Sequence, residues 1–310
     1  MKVIVTGCHG KIGGAVCRAL AARGDLVHGI DHAPTHDAPF RTTVENLLDP
    51  FAFHRALTEA RHHDQPVDAV IHLAGHTNAR VAPASTVLRE NLAINANVFL
   101  AAAGAGIPRI VFGSSVQAML GGNDSGPVER YRRPPGFPID ETTPPRPSNA
   151  YGLSKLLTEQ SLDHLTSPGM RLAWDDRAPS FTAASLRLPF VLDEQSIQWN
   201  LERGGPAAYE WGGAEVYAYV ALDDAADALI LAASCPAERL DGHEVFLVMA
   251  PDPRPLDSVP ALVERFYADV PGTAEAIRRD SFVDCSKAAT ILGWQARTTL
   301  RALRSSCDAG

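Results

Sequence analysis

Lysine is scarce in this chain: there are four in 310 residues, and the only one between Lys11 and Lys287 is Lys155. Basic charge is short in general. With 28 Lys and Arg against 36 Asp and Glu, the net charge is −8 and the pI near 5.7, which leaves no basic stripe to hold nucleic acid. No stretch approaches the ~18 consecutive apolar residues of a bilayer-spanning helix, so no membrane association is expected. The cysteines, at 8, 17, 235, 285 and 307, are odd in number and lack C-x-x-C spacing, which argues against a disulfide framework and a zinc site. Among the histidines, His62 and His63 sit beside Asp64 in a polar stretch, and His32 and His36 flank a Pro-rich turn. They read as solvated loop residues, and no metal is expected. The opening Met1-Lys-Val-Ile-Val-Thr6 is too short before its first glycine for a signal peptide and reads as a buried strand, which puts the protein in the cytoplasm. Internal repeats and low-complexity tracts are also missing.

What is present is alternation. The length and a hydrophobic share of 45% allow one large α/β unit, or a core domain with a smaller lobe. Residues 2–6 form an apolar run typical of a parallel strand covered on both faces. Ile12, Val16 and Leu20 then recur at helical spacing up to Gly24. Strands are predicted at Leu26–Ile30, Ala69–Leu73, Arg109–Phe112 and Thr182–Leu188, and helices at about Thr86–Ala105, Tyr151–Leu165 and Asp223–Ala233. This order predicts a Rossmann-type doubly wound parallel sheet with its ligand site at the carboxyl ends of the strands. Two regions break the rhythm. Met119–Ser148 holds seven prolines and six glycines or serines around Glu129-Arg-Tyr-Arg-Arg133, and reads as a long loop covering the active site. Residues 190–220 and 236–285 alternate short apolar runs with Gly/Pro turns, so the reading is a first domain over 1–189, to which helix 223–234 returns, and a mainly substrate-binding, discontinuous lobe over 190–310.

Two clusters carry chemistry. Thr6-Gly7-Cys8-His9-Gly10-Lys11-Ile12-Gly13 lies between the first strand and the first helix, where glycines let the backbone turn tightly and approach a pyrophosphate at a helix N-terminus. Asp31 ends the second strand, 18 residues after Gly13, where a carboxylate accepts from adenosine ribose hydroxyls and repels a 2′-phosphate; no Arg or Lys follows before Arg41, which favours NAD over NADP. The second cluster is Asn149-Ala-Tyr-Gly-Leu-Ser-Lys155. Six tyrosines and four lysines in this length give roughly 0.08 chance matches to Tyr-x-x-x-Lys. Helical spacing sets the phenol beside the ammonium, and a nearby cation is expected to lower the phenol pKa from about 10 toward working pH for proton exchange with a hydroxyl or carbonyl.

With these residues the chain resembles an extended short-chain dehydrogenase/reductase of the NAD-dependent epimerase/dehydratase family, over nearly its whole length. The resemblance includes His72-Leu-Ala-Gly75, Asn91 and its helix, Phe112-Gly-Ser-Ser115, Asp140-Glu-Thr-Thr-Pro144, Tyr151 with Lys155, and the late Asp284-Cys-Ser-Lys287 to Leu292-Gly-Trp294 segment. It implies that Tyr151 is the acid/base, that Lys155 holds the nicotinamide ribose and tunes Tyr151, that Ser115 bonds the reacting oxygen and that Asn91 supports a proton relay. For NAD it implies contacts from Gly7, His9, Gly10, Lys11, Ile12, Gly13, Asp31, Asn46, Leu47, Leu73, Ala74, Gly75, Asn91, Tyr151 and Lys155. Asn46 stands where the family commonly has an aspartate, and its amide oxygen can still accept from adenine. His76, Ser114, Ser115, Gln117, Arg187 and Arg203 are the substrate candidates.

Family likeness leaves the reaction open. Dehydratases and decarboxylases of the family resemble one another in an acidic residue just after the catalytic hydroxyl; here Val116 and Gln117 occupy those positions. Nucleotide-sugar 4-epimerases commonly offer Asn and Arg where this chain has Phe190 and Tyr217. The expectation is an NAD-dependent dehydrogenase acting on a secondary alcohol of a sugar or sugar acid. A nucleotide-sugar 4-epimerase is the alternative, and a non-catalytic dinucleotide sensor a lesser one. The apolar faces of helices 91–105 and 151–165 resemble the family's dimerising pair, so a homodimer is expected.

Overall fold

The computed structural model describes residues 1–34, 38–60, 65–78, 80–121, 133–171, 181–202 and 212–308. The elements run β1 (Lys2–Thr6), α1 (Lys11–Ala22), β2 (Leu26–Asp31), β3 (Arg41–Val44), α2 (Ala52–Ala60), β4 (Ala69–His72), α3 (Ala84–Gly104), β5 (Arg109–Ser115), α4 (Ala150–Leu165), β6 (Thr182–Leu188), β7 (Phe190–Leu192), α5 (Glu194–Glu202), β8 (Tyr219–Ala221), α6 (Leu222–Ser234), β9 (His243–Leu247), α7 (Val259–Leu262), α8 (Thr273–Arg279), α9 (Ser286–Leu292) and α10 (Leu300–Asp308). Seven strands form one parallel sheet in the order β3-β2-β1-β4-β5-β6-β9. Chain order reverses between β1 and β4, which opens a crevice at their carboxyl ends.

Period-two alternation divides the core. Val3 and Val5 of β1 face α1 and α6 on one side, whereas Ile4, with Val70 and Ile110, faces α2, α3 and α4 on the other. Both faces are covered, which is why these strands read as unbroken apolar runs. A third cluster builds the smaller lobe from Met119, Phe137, Ile139, Tyr217, Val259, Tyr267 and Phe282, segments far apart in sequence. Among the described residues, no helix is long and apolar enough to cross a membrane.

Three details differ from the sequence reading. β9 pairs with β6 in the main sheet, although residues 236–285 read as lobe; its first half, His243-Glu244, is polar because β9 is an edge strand. β3 and α2 fill the gap before β4; β3 is short and mostly polar, whereas α2 does carry a helical period through Ala52, Phe53, Ala56, Leu57 and Ala60, which the sequence reading passed over. In the expected cover over 119–148, residues 122–132 lie outside the described residues, and part of 133–148 packs into the third cluster. Phe137 packs on Tyr267 and Phe282, and Ile139 bridges Val283.

Candidate active site

The crevice between β1 and β4 continues into a cleft of about 850 Å³. Its first wall is the glycine turn. Gly7 has φ +71°, and a Cβ there would stand 2.9 Å from Ala74 N; one on Gly13 would meet Gly7 O at 2.0 Å, so α1 lies against the turn with no room for a side chain. Gly10 caps α1 without a side-chain bond, which leaves the first amides of the helix to a ligand. Asp31 is buried at the end of β2, with one oxygen accepting from His9 N at 3.0 Å and the other from His32 N at 2.8 Å. Thr6 Oγ1 accepts from Leu73 N and Ala74 N, which locks the segment after β4. A bare-backbone cradle, open helix amides and a carboxylate at the strand end together fit a dinucleotide.

The second wall is built on β5 and α4. Asn149 caps α4, its Oδ1 accepting from Gly152 N at 2.8 Å while its Nδ2 donates to Gln117 Oε1 at 3.1 Å. A Cβ on Gly152 would sit 2.2 Å from Gln117 O, so the first turn of α4 rests directly on the backbone after Ser115. This close approach brings Tyr151 and Ser115 to the same wall of the cleft. Lys155, on the same buried face, donates to Gly113 O at 2.7 Å and lies over the Phe112 ring.

The electrostatics depart from expectation. Burial pushes the Tyr151 phenol up to about 12; the bond to Ser115 opposes this and the carboxylate of Glu215 adds to it. Burial also draws Lys155 down to about 8, against the pull of Glu159. Lys155 does not lower the tyrosine here: its ammonium is 5.5 Å from the phenol ring and engaged with Gly113, so desolvation outweighs it.

The cleft brings together Gly7, Gly10, Lys11, Ile12, Gly13, Leu73, Gly75, His76, Ser114, Ser115, Gln117, Tyr151 and Lys155. Lys11 is paired with Asp193 at 2.7 Å. His9 and Asp31 adjoin the turn, whereas Asn46, exposed after β3, accepts from Leu48 N and the side chain of Leu47 points into the core. Asn91 stands behind the cleft. It accepts from His76 N at 2.7 Å and donates to Ser154 Oγ at 3.1 Å, so it positions the segment after β4 rather than touching a reacting atom. Arg187 is no cleft residue: it is buried and pairs with Glu159 at 2.8 Å, and Glu159 also accepts from Ser114 Oγ at 2.5 Å, which ties that hydroxyl to the core. Arg203 lies outside the described residues. Among the cleft-lining residues that sequence reasoning passed over are Arg80, Asn149, Phe190 as a pocket wall, and Glu215. For Asn149 the signal was present, as an N-cap residue directly before Tyr151.

Residues 3–173 match the NAD dependent epimerase/dehydratase family. The chain is 34% identical over 161 residues to an NAD-dependent glucose-6-phosphate dehydrogenase of Haloferax volcanii, which is 51% of this chain and 60% of that protein. It is 32% identical over 166 residues to a UDP-glucose 4-epimerase of Azospirillum brasilense, 52% of this chain and 43% of that protein. The matched part thus spans about half the length of these relatives. In overall shape the chain is similar to MoeE5 solved with UDP-glucuronic acid and NAD, at 22% identity, a TM-score of 0.67 and coverage of 97% of this chain and 95% of that one; this is a likeness of fold. On the match over more than half its length, the chain belongs to the NAD-dependent epimerase/dehydratase family, and its cofactor is NAD.

Proposed function

We propose that the protein is an NAD-dependent oxidoreductase that oxidises a secondary alcohol, a ring hemiacetal carbinol included, on a sugar or sugar acid without a nucleotide diphosphate. The observation that carries this reading is Ser115, Tyr151 and Lys155 on one wall of a cleft whose other wall is the glycine turn. Bound NAD would rest on Gly7, Gly10 and Gly13 with its ribose toward Asp31, and it supplies the acceptor for the substrate's hydride. Ser115 would orient the substrate hydroxyl, and Tyr151 would take its proton. Lys155 would hold the nicotinamide ribose. Val116 and Gln117 follow Ser115 where an elimination would use an acid, which supports simple oxidation. The name of the Haloferax volcanii relative points the same way.

A nucleotide-sugar 4-epimerase remains the second reading. It is favoured by Arg254, whose guanidinium lies 5.2 Å from the Phe190 ring at the cleft, and by Arg80 on the opposite wall, either of which could meet a diphosphate. The test is a screen of aldoses, uronates and UDP, dTDP and GDP sugars for NADH formation and for C4 inversion. Net NADH from a free sugar supports oxidation, and inversion of a nucleotide sugar without net NADH replaces it with the epimerase. The outward faces of α3 and α4 carry Leu100 and Leu153, 45% and 37% exposed, and would join two copies as a homodimer, which light scattering can check.

A further inference from the structure

Resting on the reading of the cleft as a sugar site, we infer that Glu215 is a substrate-binding residue that selects a neutral polyol, its carboxylate accepting hydrogen bonds from sugar hydroxyls and turning away sugars that present an anion there.

Glu215 is the single acidic residue among the described residues that line the cleft, and it is only 5% exposed. It reaches that position by an unusual backbone. Gly212, Val216 and Tyr217 all have left-handed φ values, of 97°, 51° and 56°. For a β-branched and an aromatic side chain this conformation is disfavoured and persists only where surrounding contacts hold it. They do: Tyr217 N donates to Gly212 O at 2.8 Å, Ala218 N to Glu215 O at 2.9 Å, Arg254 N to Tyr217 O at 2.9 Å, and the Tyr267 hydroxyl to Gly213 O at 2.7 Å. The lobe thus holds a strained turn whose outcome is a carboxylate lining the cleft that also holds Tyr151.

That carboxylate is a poor choice for the proton transfer itself, because its charge opposes loss of the Tyr151 proton. Its use must lie elsewhere, and the neighbours indicate where. Ser115 and the linked amides of Gln117 and Asn149 offer neutral donors and acceptors on one side. Phe190, 47% exposed, offers a flat apolar ring on the other. Hydroxyl partners around an aromatic face are the chemistry of a pyranose or furanose ring. Among the described residues, the charged and titratable groups near Glu215 include Tyr151 and, from the segment after β9, Arg254, whose guanidinium Glu215 favours. A purely structural pairing with Arg254 would leave substrate choice untouched, which separates it from the proposal.

The test uses sugars that differ only in the charge at one carbon: glucose against glucuronate, galactose against galacturonate, and UDP-glucose against UDP-glucuronate. Affinities come from calorimetry on NAD-loaded Tyr151→Phe protein, and kcat and KM from NADH formation or inversion by the otherwise native enzyme. The neutral member is expected to bind at least about tenfold tighter. Glu215→Gln should raise its KM roughly 10-fold or more, as for loss of a hydrogen bond to a charged group, and narrow the neutral-to-anionic ratio. It should also move the rising limb of the pH profile of oxidation to lower pH, with melting temperature and NAD affinity kept. Preference for the anionic member, equal loss on both members with a lowered melting temperature, or no binding of any neutral sugar overturns the inference. If only the nucleotide pair binds, the oxidation of free sugars falls, while Glu215 is still judged by the ratio within that pair.

Discussion

The two walls of the cleft are made in opposite ways. The cofactor wall is local: turn, helix and receiving carboxylate all fall within the first 31 residues, and each position follows from a steric rule, since no residue larger than glycine fits at Gly7 or Gly13. The wall that faces it, proposed to hold the substrate, is assembled from the segments around 115–117, 149–151, 188–191 and 215, and its shape depends on left-handed Val216 and Tyr217. A site defined by short-range sterics can serve any member of a fold. One defined by long-range packing is free to differ from protein to protein, and substrate choice should reside there.

The comparison can be broken at its seam, α4. Tyr151→Phe removes the one group asked to move a proton, and turnover should fall by about 10² to 10⁴-fold while NAD titrates as before. Near-normal turnover would refute the assignment. Next in size, Glu159→Ala should destabilise the fold by about 3–5 kcal/mol in denaturant titration, because Arg187 is left as a buried charge without its carboxylate. A loss under about 1 kcal/mol would mean that Arg187 finds water, and would return it to the list of substrate residues.

On the cofactor side, Gly13→Ala should destabilise by about 1–3 kcal/mol through overpacking against Gly7 O, and should weaken NAD more than any sugar. Asp31→Ala should narrow the gap between NAD and NADP measured by titration; if NADP already binds as well to the unaltered protein, the ribose assignment is wrong. The smallest effect is in pH. Lys155 titrates near 8 in the folded chain, below its ordinary value, so between those limits the unfolded chain holds more protons and stability rises with pH. That rise should be absent from Lys155→Met when the two melting curves are compared from pH 8 to 10.

What could be read in advance follows the same division. The alternation of strands and helices, the glycine turn, Asp31 and the Tyr151-Lys155 face are all set by periodicity and spacing over a few residues, whereas the places of β3 and β9 in the sheet are not. Arg187 misled because an arginine at the end of a buried strand looks like an anion clamp. Its true partner was visible as Glu159, one turn beyond Lys155 on the same buried face. Glu215 could not be read, since Glu-Val-Tyr-Ala-Tyr has the pattern of a strand entering from solvent, and neither Val nor Tyr advertises a left-handed turn. The tyrosine pKa was missed for a further reason: spacing predicts that a cation is near, whereas desolvation depends on the whole enclosure.

One buried histidine has a consequence of another kind. His72 is held neutral by burial, its pKa drawn down to about 3, and its Nδ1 lies 2.6 Å from Thr6 Oγ1 while its Nε2 lies 2.8 Å from Asn95 Oδ1. Because Thr6 Oγ1 already receives two amides, its own hydrogen points to the ring, and the ring's hydrogen points to Asn95. Asn95 donates to Thr158, and Thr158 to Ser154 O. A second row runs alongside, from His76 N through Asn91 and Ser154 Oγ to Tyr151 O. Apart from a long contact from Asn91 Nδ2 back to His76 O at 3.4 Å, the hydrogens in both rows point from the strands of the glycine turn toward α4. The two rows thus tie β1 and β4, which carry the dinucleotide cradle, to α4, which carries Tyr151, through buried hydrogen bonds with a prevailing direction.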